Sequence, residues 1–510
     1  MSLFTALLLL TVAWLSWRIW KFTILPILRP NDVKYLPYWI PCESFLQIKC
    51  YSWISLLNHP REYFGNTRET FVLTVAGQKL YILTSAKRIL AVLKDTQIFD
   101  NGKPKAFLMR KFGISNNAIN MLFEKPSPSL YGREDLQPNH QLDSMVVLSE
   151  NIIKKQLVPG KVYEKFESAF LSVVEERLRW ENVPFSAILS STETERTVSL
   201  FELTRQTLVE ATAIGFFGPK IVRIDPAFVE NFLYFDDRTQ MFLQKLPSPW
   251  KSSVEVSIEK LRRTIKTYFE LPRDQRSGAA WLVDTLETEL TARGVSKGDL
   301  AGWFVMLYWA MNTNTWRLGF WVSAYLLFHP DLLAAIREEI LPFPEHCTTL
   351  ASLHSHLANS KHFSSLYHEV LRLVDSPISI RESTRADTSL SPGPLPAKAV
   401  LMLAHRQLLM DDTVWGPEVT RFNPERFLHD EKLLRSKSYT PFGGGSLLCP
   451  GRFMARGEIM VFIALLIRRF DITVVSRCLP RIDPRSNAGV GILGAKKGDD
   501  LVLLLSKLNE

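Results

Sequence analysis

The run from Tyr439 to Phe470, YTPFGGGSLLCPGRFMARGEIMVFIALLIRRF, restricts this chain more than any other. Three consecutive glycines precede Cys449, Pro450 and Gly451, and an uninterrupted helical pattern follows. Glycine and proline permit a tight turn, so the spacing predicts Cys449 on that turn at the amino end of a helix. Backbone N–H groups and the positive end of a helix dipole face a residue in that position. Both favour thiolate over thiol, and thiolate is the form that binds metal or attacks carbon. A solitary cysteine is otherwise a small buried apolar side chain. Cys42, Cys50, Cys347 and Cys478 complete an odd set of five without a C-x-x-C pair. That pattern suggests neither a disulfide framework nor a zinc site, and it fits a reducing compartment.

The other end of the chain is as distinctive. Leu3 to Trp17 reads LFTALLLLTVAWLSW without a charge, and apolar residues continue to Leu28 around Arg18 and Lys21. A helix of about 20 residues spans a bilayer. The length, the aromatic far end (Trp14, Trp17, Trp20) and the lack of an A-x-A site favour an uncleaved anchor, residues 1–28, over a removed signal peptide. Arg18, Lys21, Arg29 and Lys34 follow the apolar run and no Lys or Arg precedes it, which predicts a cytosolic body, residues 29–510. Pro26, Pro30, Pro37 and Pro41 are expected to end the helix and form a semi-rigid lead.

In the body, Phe71 to Ser85 alternates as a β-hairpin about Ala76-Gly77-Gln78. Helical spacing recurs over Phe166–Arg179, Leu200–Phe217, Asp299–Phe328 and Arg452–Phe470. Loops such as Glu124 to Pro138 and Ser391 to Pro396 separate these helices, and strand signals return near Val400 and at the carboxyl end. The expected fold is mainly α with small β-sheets. Gly489-Val490-Gly491-Ile492-Leu493-Gly494 matches G-x-G-x-x-G, but only sixteen residues follow it, too few for a βαβ unit. A glycine-rich turn in a terminal hairpin is the better reading. The 510 residues are 46% hydrophobic and 22% charged, which excludes a disordered or collagenous chain. The net charge of +9 is spread without a Lys/Arg block, so nucleic-acid binding is not expected. Docking onto an acidic protein or an anionic membrane stays open.

Phe442, Gly445, Cys449 and Gly451 meet F-x-x-G-x-x-x-C-x-G, which resembles the heme-ligand loop of the cytochrome P-450 family. Glu369-Val370-Leu371-Arg372 is similar to the family's E-x-x-R, and Phe422 to Phe427 (FNPERF) to its P-E-R-F segment. The proline-rich entry resembles its amino-terminal hinge. The resemblance spans residues 30 to 510. It implies the cytochrome P-450 fold behind a single transmembrane helix, with heme held by Cys449 as the axial thiolate that favours O–O cleavage. It also implies a buried network of Glu369, Arg372 and Arg426 behind the loop. Many relatives place a propionate-binding arginine or histidine where this chain has Leu447, so Arg381 is the candidate, with Phe442 also at the cofactor and His405 and Arg406 as weaker alternatives. No W-x-x-x-R segment is evident in the earlier helix.

The resemblance makes Asp299–Phe328, ending at His329-Pro330, the central distal helix. Counting back from Pro330, the family's acid–threonine pair falls on Thr313-Asn314, with Asn312 and Thr315 as neighbours. Asparagine there, with Phe320-Trp321 after it, is similar to the branch of sterol and bile-acid hydroxylases and prostacyclin synthase. Asn314 and Thr315 are therefore the candidate catalytic residues. The implied activity is a monooxygenase of a sterol, terpenoid or other secondary metabolite, anchored in the endoplasmic-reticulum membrane. NADPH would act only through a separate P-450 reductase docking near Arg435, Lys437, Arg452 and Arg456. The alternative is an isomerase or dehydratase that acts on a pre-oxygenated substrate without external electrons. Pocket walls are expected from Asn101–Leu122, Phe201–Phe217, Phe232–Leu246, Ser376–Arg381 and Gly489–Gly494.

Overall fold

The computed structural model describes residues 3–507, apart from 40–52, 76, 125–143, 244–250, 341–352, 354–355, 358, 387–389, 391–394, 446–447 and 488. Cys42, Cys50, Cys347, Leu447 and most of the loops expected at 124–138 and 391–396 lie outside the described residues.

Helices dominate. Their centre is Lys297–Leu327, 31 residues long, whose Ser296 hydroxyl caps the Asp299 amide at 3.1 Å. It is apolar on nearly every side, the pattern of a helix enclosed by protein. Leu200–Phe217, Lys251–Glu270, Lys361–Val374 and Arg452–Arg469 all pack around it. The expected helix bounds hold to within a few residues. Two sheets flank the bundle. β1 (Lys34–Tyr35), β2 (Phe71–Val75), β3 (Gln78–Leu83), β4 (Phe99–Asp100), β7 (Ile378–Ser383) and β8 (Val400–Ala404) form one, in the order β1-β2-β3-β8-β7-β4. β5 (Ile188–Ser191), β6 (Glu195–Ser199), β9 (Phe470–Val474) and β10 (Val502–Lys507) form the other, ordered β5-β6-β10-β9. β2 and β3 pair antiparallel as the expected hairpin. Gly489 to Gly494 is a turn in the excursion between the antiparallel strands β9 and β10.

The amino-terminal helix runs Leu3–Ile19, passes through a π turn at Trp20–Ile24, and continues as Leu25–Leu28. Its 26 residues are long and apolar enough to cross a membrane, and none is buried in the protein. Here the structure corrects the sequence, because Pro26 does not end the helix. It sits in the first turn of Leu25–Leu28, where the missing N–H costs little, and the wider π turn before it makes room for the ring. The span ends against the body. Lys21 Nζ donates to the Tyr38 hydroxyl at 2.9 Å, and the Arg18 guanidinium lies 4.0 Å from the Trp39 ring centre.

Candidate functional site

Around Cys449 the local chain is held by its own backbone. The Cys449 amide donates to the Phe442 carbonyl at 3.0 Å, and the Arg452 guanidinium donates to the Cys449 carbonyl at 2.9 Å. Gly445 has φ +63°, and a Cβ there would stand 2.1 Å from the Leu93 carbonyl oxygen, so only glycine lets the loop lie against the Ala86–Lys94 helix. The amides of Gly451 and Arg452 point at the sulfur, as the turn-before-helix reading requires. Burial pushes the Cys449 thiol up, while those amides and the Arg452 charge pull the other way, as the helix-terminus reading expects. The charge of a bound metal would favour the thiolate further.

Behind the loop, Glu369 and Arg372 are wholly buried. Glu369 accepts from Arg372 Nη2 at 2.8 Å, from Arg426 Nε at 3.0 Å and from the Asn423 amide at 3.1 Å. A hydrogen-bonded path then crosses from the cysteine loop to the central helix. Thr440 Oγ1 lies 3.0 Å from His405 Nδ1, and His405 Nε2 lies 3.1 Å from Ser379 Oγ on β7. Next on β7, the Ile378 amide donates to the Gly489 carbonyl, and Ile492 of the same turn donates to Asn314 Oδ1 at 2.9 Å.

That path bears on the weaker cation candidates. Burial, and then the nearby Arg381, pushes His405 down to about 4, so it is a neutral linker at pH 7. Arg406 Nη1 donates to the Leu373 and Asp375 carbonyls. Arg381 differs from both. It is buried, and its side chain has one hydrogen bond among the described residues, to the Ile380 carbonyl. Desolvation lowers its pKa, and a buried guanidinium with donors to spare calls for an anionic partner. The heme expected from the resemblance has that chemistry in its propionates. The donor set thus fits heme: a cysteine sulfur met by two amides, and an under-used buried arginine on the adjoining strand.

The central helix sorts its own candidates by exposure. Thr313 is buried and takes Arg317, which is ion-paired with buried Asp236 at 2.7 Å. Asn312 is buried and donates to the Tyr308 carbonyl. Ala310, Met311, Asn314 and Thr315 form an accessible stripe in the middle of this largely enclosed helix, with half-buried Met306 one turn before it. Thr313, buried on the side of Arg317 and Asp236, therefore lies outside the stripe that holds Asn314. Thr315 turns its hydroxyl back to the Met311 carbonyl at 3.0 Å. Of the expected walls, Ser376–Arg381 and Gly489–Gly494 adjoin the stripe through the path above. Phe201–Phe217 does not, since it packs between Lys161–Arg177 and the buried side of the central helix, with Val209 accepting the Tyr308 hydroxyl. Sequence reasoning missed Asn487, whose amide contacts Asn314, and the linking role of His405; a lone asparagine in a turn carries no periodic signal.

Comparison with known proteins agrees with this geometry. The family model "Cytochrome P450" matches residues 220–500. The cytochrome P450 monooxygenase efuG of Hormonema carpetanum is 25% identical over 338 residues, covering 56% of this chain and 60% of its own length. The 7-alpha-hydroxycholest-4-en-3-one 12-alpha-hydroxylase of Homo sapiens is 28% identical, covering 56% of this chain and 62% of its own. Cholesterol 7-alpha-monooxygenase of Cricetulus griseus is 24% identical over 473 residues, 86% of this chain and 87% of the relative. The match thus spans about three fifths of efuG and of the human hydroxylase. With more than half of its length matched by the family model, and the E-x-x-R network and cysteine loop in place, the chain belongs to the cytochrome P450 family.

Proposed function

We propose that this chain is a membrane-anchored monooxygenase that inserts one atom of dioxygen into a lipophilic small molecule. The second atom leaves as water, with two electrons drawn from NADPH through a separate reductase. Heme on a cysteine thiolate supplies the O–O cleavage and oxygen insertion. Cys449 would hold the iron, Arg381 a propionate, and the Phe442 carbonyl the loop that carries the cysteine. The observation that carries this reading is the Cys449 turn, with two amides at the sulfur and the Glu369–Arg372–Arg426 network behind it. Arg435 and Lys437 are the better docking cations for an acidic reductase, because Arg452 and Arg456 are tied to Cys449 and Ser364. The span Leu3–Leu28 and the cations after it support residues 1–28 as anchor and 29–510 as a cytosolic catalytic domain on the endoplasmic reticulum. Two relatives are named for steroid substrates, which supports a sterol, terpenoid or related secondary metabolite as the substrate class.

A second reading has its own support. None of the four stripe residues is an acid, and the Thr315 hydroxyl donates its hydrogen bond to the Met311 carbonyl, so these four residues offer no acid for the usual proton relay. An isomerase of a pre-oxygenated substrate needs no such relay. Mass-spectrometric turnover of sterols, terpenoids and their hydroperoxides, with and without NADPH and reductase, separates the two. Uptake of label from ¹⁸O₂ only when electrons are supplied supports the monooxygenase. Rearrangement of a hydroperoxide without electrons replaces it with the isomerase.

A further inference from the structure

Asn314 is bonded in a way that fixes the direction of its amide. The Ile492 backbone N–H, which can only donate, lies 2.9 Å from Asn314 Oδ1, and Asn487 Nδ2 lies 3.2 Å from the same oxygen. Asn487 is itself oriented, since its Nδ2 also donates to the Ile492 carbonyl at 2.9 Å. Rotating the Asn314 amide would set its NH₂ against two donors. Gly491 makes the close approach possible, because a Cβ there would stand 2.3 Å from Asn314 Oδ1. The turn is anchored in turn by Ser376, Val374 and Trp321, whose Nε1 donates to the Leu493 carbonyl at 2.6 Å. Asn314 Nδ2 has no partner among the described residues and belongs to the accessible stripe.

We propose that Asn487 and the 489–493 turn lock Asn314 as a hydrogen-bond donor alone, so that the site prefers lipophilic molecules carrying an acceptor oxygen beside the stripe. Asn487 is the positioning residue for this preference. The inference rests on the stripe lining the substrate site. A threonine hydroxyl both donates and accepts and can pass a proton along; an amide held by its oxygen can only donate. The side chain therefore acts as a specificity element, discriminating against molecules that leave its NH₂ unpaired.

The test uses full-length, heme-loaded protein and a matched pair of probes, 4-phenylcyclohexanone and phenylcyclohexane, titrated by Soret difference spectra and by tryptophan fluorescence. Wild type is expected to favour the ketone by about tenfold, a factor equivalent to roughly 1.4 kcal/mol. Asn314→Asp keeps an oxygen for the Ile492 amide but loses the donor, so the preference should vanish while hydrogen exchange at Ile492 stays slow. Asn314→Leu should lose both. Asn487→Ala should cut the preference to a few-fold by freeing the amide to rotate. Equal affinity of wild type for the two probes overturns the proposal alone, as does an Asn314→Asp variant that still prefers the ketone. Failure of both probes to bind wild type overturns the reading of the stripe as the substrate site.

Discussion

Glu369→Gln tests whether the buried network holds up the cysteine loop. Glu369 has no exposed surface, and its two oxygens accept from two guanidiniums and one backbone amide. The substitution is nearly isosteric, so packing changes little, but it removes the one anion between Arg372 and Arg426 and turns an NH₂ toward donors. Their remaining bonds go to neutral carbonyls: Arg372 to Leu409 and Val419, Arg426 to Trp415. Removing one partner of a buried pair costs about 3–5 kcal/mol. With a urea slope of about 3 kcal/mol per molar, the unfolding midpoint should fall by about 1–2 M. Heme content at purification should fall with it. Arg421→Ala is the control, since it breaks an ion pair of similar length, 3.1 Å, between groups about 70% exposed. That loss should stay within about 1 kcal/mol. Replacing all three charges with Leu and Met should recover part of the stability, because no unpaired charge then remains. A Glu369→Gln midpoint equal to wild type would refute the assignment of the network to structural support.

Three further outcomes are expected. Cys449→Ser should abolish the thiolate-type band of the reduced carbonyl complex, because an alcohol is a poorer iron ligand than thiolate; a persisting band would move the ligand elsewhere. Gly445→Ala should lower the thermal midpoint and the heme content together, since its Cβ meets the Leu93 carbonyl at 2.1 Å with φ at +63°; a normally loaded, normally stable variant contradicts that contact. Stability should also fall as pH drops below about 6.5, the unfolded value for histidine. Burial pushes His405 down to about 4, with Arg381 adding to it, and His368 to about 3, with Arg456 adding to it. Both histidines are thus neutral when folded above about pH 4 and take up protons on unfolding, so the loss accumulates between about pH 6.5 and pH 3–4, on the order of 8 kcal/mol together. His405→Asn should flatten that slope in urea titrations at pH 7.5 and 5; an unchanged slope would count against a neutral His405.

What could be read beforehand follows the range over which each signal acts. The helix at 297–327, the hairpin at 71–83 and the Cys449 turn rest on periodicity or on glycine and proline within a few residues. Glu369 and Arg372 share one helix face, and Asn423 and Arg426 of FNPERF lie 54 and 57 residues after Glu369, so resemblance sufficed to join them. The lock on Asn314 is different in kind. Its partners are 173 and 178 residues away, and one of them is a backbone amide that no side-chain pattern encodes. His405 looked like a cation because histidine is basic, whereas its charge state depends on burial that only the fold supplies. Phe201–Phe217 was assigned to the wrong wall because helical periodicity gives one apolar face without saying which neighbour it meets.

The two halves of the site are held by unlike forces, and this bears on which chemistry the chain performs. On the cysteine side, support comes from the fully buried Glu369 and Arg372 and the mostly buried Arg426, whose loss is expensive, so that half tolerates little change. On the distal side, Asn314 is held by neutral hydrogen bonds from a turn, each worth about 0.5–1.5 kcal/mol net. On the proposal that the stripe lines the substrate site, substitutions in that half should alter selectivity at small cost to stability. Replacing threonine by asparagine there exchanges a two-way proton carrier for a one-way donor, and the turn enforces the direction. If oxygen insertion is the reaction, its protons must reach the site through water or the substrate rather than through residue 314, so Asn314→Thr should raise water formation per product. If rearrangement is the reaction, no proton need arrive, and the same substitution should act on substrate affinity alone.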